Sequence, residues 1–188
     1  MKLEQFQKER VCLIVVDPQE KLMAKIHRAE EVAARCAMVI HCFRELELPV
    51  IACTQYEKGL GPYGALVEEA VAGLPRYDKM TFSVMGDESV VAAVAALPET
   101  VDLFVLVGVE THVCVYQSAL SFLERGKKVW VVTDAVSSTR PELHAEGIAQ
   151  LRREGVAAGP AEMLLFALLG RAGTPEFKKI LPYIVGQG

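Results

Sequence analysis

A thiol, a carboxylate and an amine that could act together stand near the ends of apolar segments of this chain, at Cys114, Asp17 and Lys79. Cys114 follows a long apolar run and falls in the first turn of the helix after it. A thiol there feels the positive end of the helix dipole and free backbone N–H groups, which favour the nucleophilic thiolate. The same position equally suits a buried core cysteine. Asp17 closes the run Val11-Cys12-Leu13-Ile14-Val15-Val16. It reads either as a turn former or cap, or as a site residue at a strand mouth. Lys79 precedes Thr81-Phe82-Ser83, and pattern alone does not separate it from a solvated surface charge. His112 is a poor partner for the thiol, because residues two apart on a helix face different sides. His27, His41 and His144 lack metal-ligand spacing, and neither GxxxxGK(S/T) nor GxGxxG after the first strand is present.

The elements that would position these groups alternate in type. Val11–Val16, Val50–Cys53, Leu103–Val109 and Val129–Val132 read as strands, with a short extended segment over Arg76–Met80 and a last strand over Val156–Ala158. Between them, Arg28–Glu47, Glu88–Leu97, His112–Arg125 and Pro141–Arg153 read as helices, the last with Pro near its start and Gly155 beyond its end. A loop rich in turn residues, Gly59, Gly61, Pro62 and Gly64, follows Cys53, and the tail over 161–169 and 175–184 reads as helical. Strands that are apolar throughout are buried on both faces. The order therefore predicts a three-layer, doubly wound α/β fold, a mainly parallel sheet with helices on both faces, in one domain spanning residues 1–188. Ligands bind such sheets at the carboxyl ends of the strands. That singles out Asp17, Thr54-Gln55, Lys79, Val109 to Cys114, and Asp134.

Five segments, in order, resemble the isochorismatase-like cysteine hydrolases, in particular their isochorismatase-domain-containing branch. They are Val15-Val16-Asp17-Pro18-Gln19, Thr54-Gln55-Tyr56-Glu57-Lys58-Gly59-Leu60-Gly61, Lys79-Met80-Thr81-Phe82-Ser83, Gly108-Val109-Glu110-Thr111-His112-Val113-Cys114-Val115 and Asp134-Ala135-Val136-Ser137-Ser138. The resemblance runs from about residue 11 to 165. It implies a six-stranded parallel sheet and a catalytic triad of Asp17, Lys79 and Cys114. It implies also a cis peptide between Val109 and Glu110, and an oxyanion hole formed by the backbone N–H groups of Glu110 and Cys114. Gln19 and Phe82 are substrate-binding candidates from adjacency. The expected chemistry is hydrolysis of a small amide or related C–N substrate through a thioester on Cys114. Nicotinamidases of this superfamily carry an Asp-x-His metal motif after strand two. Thr54-Gln55-Tyr56-Glu57 stands there instead, so no metal and no cofactor is expected. True isochorismatases lack the nucleophilic cysteine.

Composition limits the other classes. The chain is 52% hydrophobic and 23% charged, with a net charge of −4. Neither nucleic acid nor a membrane surface is an expected partner, since both call for a basic face. No apolar stretch has the length of a membrane span. Five cysteines without CxxC spacing fit a reducing, cytoplasmic setting. The slightly apolar mean hydropathy of +0.26 and the family resemblance point to a homo-oligomer, with Leu164–Leu169 as the interface candidate or an ordinary core helix. A thiol-based redox protein, or an interaction module on a retired hydrolase fold, is the competing expectation.

Overall fold

A computed structural model describes residues 2–186. Two 3₁₀ turns lead into β1 (Val11–Val16), α1 (Glu20–Met23), α2 (Ala29–Glu45), β2 (Val50–Gln55), α3 (Glu57–Leu60), α4 (Ala65–Ala70) and β3 (Arg76–Lys79). The second half comprises α5 (Glu88–Ala95), β4 (Leu103–Val109), a π-helical turn (Thr111–Val115) running into α6 (Tyr116–Glu124), β5 (Lys128–Ser137), α7 (Pro141–Arg153), β6 (Ala157–Gly159), α8 (Ala161–Leu169) and α9 (Pro175–Val185).

The six strands form one sheet in the order β3-β2-β1-β4-β5-β6, and every neighbouring pair is parallel. The reason is visible in β1, whose six residues are all buried. Alternate side chains leave opposite faces of a strand. Val11, Leu13 and Val15 join a core layer with α2, α4, α8 and α9, whereas Cys12, Ile14 and Val16 join one with α5, α6 and α7. β4 divides in the same way, and Phe104 stacks on Phe122 of α6 at 4.1 Å between ring centroids. Burying one such side chain contributes about 1.5–3 kcal/mol. A helix-covered parallel sheet is the arrangement that buries both faces of these strands.

The winding reverses between β1 and β4. From β1 the chain builds outward through β2 to β3, and from β4 it builds the other way through β5 to β6. The carboxyl ends of β1 and β4 therefore part at a crevice, the usual ligand position in such sheets.

Gly108 sits where this crevice begins. It pairs with Val16 of β1 and has φ of +113°. A Cβ there would strike the Val16 backbone. Gly108→Ala is expected to cost about 2–3 kcal/mol. The midpoint of thermal unfolding should then fall by roughly 5–10 °C. A calorimetric scan matching the wild type would overturn this.

Several boundaries differ from the sequence reading. β5 continues past Val132 to Ser137 because a register shift against β4 near Leu106 and Gly108 lets pairing resume at Val136 and Ser137. The helix read from His112 begins as the π-helical turn and becomes α-helical at Tyr116. The turn-rich stretch after β2 contains α3 and leads into α4. Leu164, Leu165 and Leu168 of the interface candidate are core residues, while Phe166 is exposed on the same helix.

Candidate active site

Asp17, Lys79 and Cys114 come from three different strand ends on the crevice side of the sheet. Asp17 follows β1 with a left-handed backbone, φ +53°, a conformation that aspartate tolerates better than most residues. Its N–H donates to the Cys53 carbonyl at 3.1 Å, and its carbonyl accepts from the Gln19 N–H at 2.7 Å. Lys79 ends the edge strand β3, held by the Tyr56 N–H donating to its carbonyl at 3.0 Å. Cys114 lies in the π-helical turn after β4, and the peptide between Val109 and Glu110 is cis.

Lys79 has no exposed side-chain surface, and neither has Asp17. Three ammonium protons meet three acceptors: Asp17 Oδ2 at 2.7 Å, Gln55 Oε1 at 2.7 Å and the Thr81 carbonyl at 3.1 Å. The ammonium is thus a fixed charge with every donor engaged. Asp17 Oδ1 has no conventional hydrogen-bond partner among the described residues. The Cys114 thiol is among the neighbours that act on this carboxyl. Burial raises the Asp17 pKa to about 6, against the opposing charge and hydrogen bond of Lys79.

Burial also pushes the Cys114 thiol up to about 12. The Asp17 charge adds to that rise, whereas the Lys79 charge and the Glu110 N–H oppose it. The sequence reading, built on the helix dipole, expects the reverse. Desolvation, the largest influence on the thiol, penalises the thiolate. The resting pair is a neutral thiol beside an ionised carboxylate. Cys12, Cys36, Cys42 and Cys53 are all free and wholly buried, while Cys114 retains 6% exposure.

The other candidates take different places. Gln19 is fully buried, and its amide is committed to the backbone: Oε1 accepts from the Gln55 N–H at 2.7 Å, and Nε2 donates to the carbonyls of Gly61 at 2.7 Å and Gln55 at 3.1 Å. It fastens the loop after β2 and leaves no polar group for a ligand. Phe82 is 54% exposed, beside exposed Met80. Asp134 accepts from the Ala161 N–H at 2.8 Å, so it caps the start of α8. His112 turns away from the thiol, with Nδ1 2.9 Å from Ser138 Oγ.

Sequence reasoning marks Gln55 by its place at a strand mouth and misses what it does. It is in register with Lys79, and its Nε2 donates to the Met80 carbonyl at 2.9 Å, aiming Oε1 at the ammonium. The lock on the nucleophile turn is also missed. Thr111 Oγ1 lies 2.9 Å from His144 Nδ1, and the Glu110 carboxylate accepts from the Thr139 N–H at 2.9 Å. Both partners are distant in sequence, so no local pattern announces them.

A model of the isochorismatase domain matches residues 11–162. The chain belongs to the isochorismatase family. Isochorismatase domain-containing protein 2 of Xenopus laevis is 33% identical over 173 residues, 92% of this chain and 82% of the relative. Among solved structures, the MAR1 ribonuclease of Caenorhabditis elegans superimposes with a TM-score of 0.88 at 32% identity, covering 95% of this chain and 91% of that one. YcaC from Pseudomonas aeruginosa, with hexane-2,5-diol and covalent acrylamide, gives a TM-score of 0.86 at 25% identity, covering 96% and 91%. The three-layer α/β architecture is that of isochorismatase-family hydrolases, and Asp17, Lys79 and Cys114 all lie within the matched domain.

Proposed function

We propose that this isochorismatase domain is a cysteine hydrolase of a small amide or related C–N substrate, working through a thioester on Cys114. One observation carries the reading. A buried carboxylate, fixed by a lysine through Oδ2, leaves Oδ1 without a hydrogen-bond partner among the described residues, and the Cys114 thiol is one of the groups that act on this carboxyl. An unsatisfied buried carboxylate oxygen is costly, and a proton acceptor for the thiol is a use for it.

The steps follow from those positions. Asp17 takes the thiol proton as Cys114 sulfur attacks the carbonyl carbon, so the thiolate forms only as it reacts. The N–H groups of Glu110 and Cys114 would receive the developing oxyanion. The C–N bond breaks, and Asp17 returns its proton to the departing amine. Water then attacks the thioester with Asp17 again as base, releasing the acid and the thiol. Lys79, with all three N–H donors engaged, supplies the counter-charge that favours ionised Asp17. This scheme requires no metal or cofactor.

A pH dependence follows. Asp17 acts as base only when ionised, so kcat/KM should fall as pH drops through about 6. A profile flat from pH 7 to 5 would remove Asp17 from the role of base.

The net charge of −4 and the closed triad favour a small molecule over RNA, although the similar structure from Caenorhabditis elegans is named a ribonuclease. The free cysteines favour a reducing cytoplasm. Exposed Tyr56, Met80, Phe82, Met163 and Phe166 favour a homo-oligomer.

Intact-protein mass spectrometry tests the proposal. Wild type and Lys79→Ala are incubated with a panel of small amides and with an electrophilic thiol probe. The expected result is selective modification of Cys114, or a trapped acyl adduct on it, that weakens without Lys79. Labelling no faster than at the other four cysteines would overturn the triad and favour an interaction module.

A further inference from the structure

Away from Cys114, a cleft of about 350 Å³ lies between the start of α2, the end of β5 and the start of α7. That is the lower end of the range for small-molecule sites. None of Asp17, Lys79 and Cys114 lines it. Its ionisable walls are His27, Arg28, Glu31, Arg35, Asp134 and His144.

We infer that this cleft is a binding site for a small oxyanion, a carboxylate or a phosphate, received by Arg35 with Arg28, His27 and His144 around it. The Arg35 donors are under-used. The contacts of the Arg35 guanidinium among the described residues are Nη1 to Met38 sulfur at 3.6 Å and Nε to Asp134 Oδ2 at 3.8 Å. Neither is a well-formed hydrogen bond, and the planar fork suits an oxyanion. Of the two acids that oppose it, Asp134 holds Arg35 only loosely at 3.8 Å, whereas Glu31 takes two hydrogen bonds from the Arg28 guanidinium. Asp134 gives Oδ1 to the Ala161 N–H at the start of α8. Glu31 pairs with Arg28 three residues earlier, at side-chain exposures of 61% and 62%, so solvent screens that pair and an anion can exchange with it.

Two helices begin at the cleft, their positive ends partly offset by Glu30 and Glu31 in the first turn of α2 and Glu142 in that of α7. α2 has 17 residues and α7 has 13, and neither N-cap residue, Arg28 or Arg140, supplies a side-chain cap. Arg28, Glu31 and Pro141, at these helix starts, line the cleft.

The walls are tied to the nucleophile turn. His144 meets Thr111, and Ser137 Oγ donates to the His27 carbonyl at 2.8 Å. An occupant would thus touch the same side chains that brace the turn carrying Cys114. The site does not depend on the hydrolase reading, because its ligand need not meet the thiol.

Isothermal titration calorimetry with malonate and, separately, inorganic phosphate is the test. The expected result is saturable binding of at least one probe to the wild type, and the arm that binds identifies a carboxylate, a phosphate or a general oxyanion site. Arg35→Gln should weaken binding about tenfold or more. Arg28→Gln, at an exposed position that leaves the core untouched, should weaken it by roughly threefold, the effect of a screened charge. Cys114→Ala should bind as the wild type does. No saturable heat with either probe, affinity unchanged in both arginine variants, or binding lost in Cys114→Ala would each overturn the assignment.

Discussion

Cys114→Ala is expected to abolish turnover of whatever amide the wild type accepts, by about 10³-fold or more in kcat. A covalent route has no substitute for its nucleophile, and the remaining donors supply only binding and charge stabilisation. The fold should survive. Removing one sulfur from a side chain with 6% exposure leaves a small gap, worth about 1 kcal/mol. Circular dichroism and a melting curve near the wild type, beside a dead enzyme in single-turnover assays, is the expected pair of results. Retained turnover would sink the thioester scheme outright.

The second large effect belongs to Lys79→Met. Methionine fills similar space but leaves Asp17 buried without its counter-charge, and breaking a buried pair in this way costs about 3–5 kcal/mol. The cost should depend on pH, and the sign is fixed by Asp17. Its folded pKa of about 6 lies above the ordinary carboxylate value because burial outweighs Lys79. Its contribution to stability is therefore complete below the unfolded pKa and is lost as pH rises through about 6. Without Lys79 its charge and hydrogen bond, the two largest influences that lower the Asp17 pKa, vanish while burial stays, so its pKa rises further. The variant should consequently be more destabilised, relative to wild type, at pH 8 than at pH 5. Denaturant titrations at the two values give the comparison. An equal loss at both would mean that Lys79 acts by packing and not by charge. In kinetics, the acid limb should move above 6 and Cys114 alkylation should slow, since a protonated Asp17 cannot take the thiol proton.

Gln55 explains why such effects would not be confined to one ion pair. Its amide engages the ammonium directly, and Gln19 holds the Gln55 backbone from the other side. A layer of neutral amides thus restrains the charged pair in the buried centre. That is the arrangement a buried charge requires, because its remaining protons must all find acceptors.

How much of this the sequence determines follows from the range of each physical cause. Strand burial is local: six consecutive apolar residues in β1 and seven in β4 announce a sheet covered on both faces, and the alternation of such runs with helical patterns announces parallel winding. The strand mouths could be located for the same reason, and with them Asp17, Lys79 and Cys114. Residue type and position stop there. Lys79 looks like a surface lysine in its own segment and is wholly buried, because Asp17, 62 residues away, and Gln55, 24 residues away, supply its acceptors. Gln19 sits in a motif beside Asp17 yet faces the loop after β2, a matter of how α1 and that loop fold together. The thiol pKa is likewise decided by tertiary structure. The helix start that should lower it is written in the local sequence, whereas the desolvation and the neighbouring carboxylate that raise it exist only once β1, β3 and β4 have brought their ends together. Backbone periodicity chose the fold, and the closing of the crevice over three distant side chains chose their chemistry.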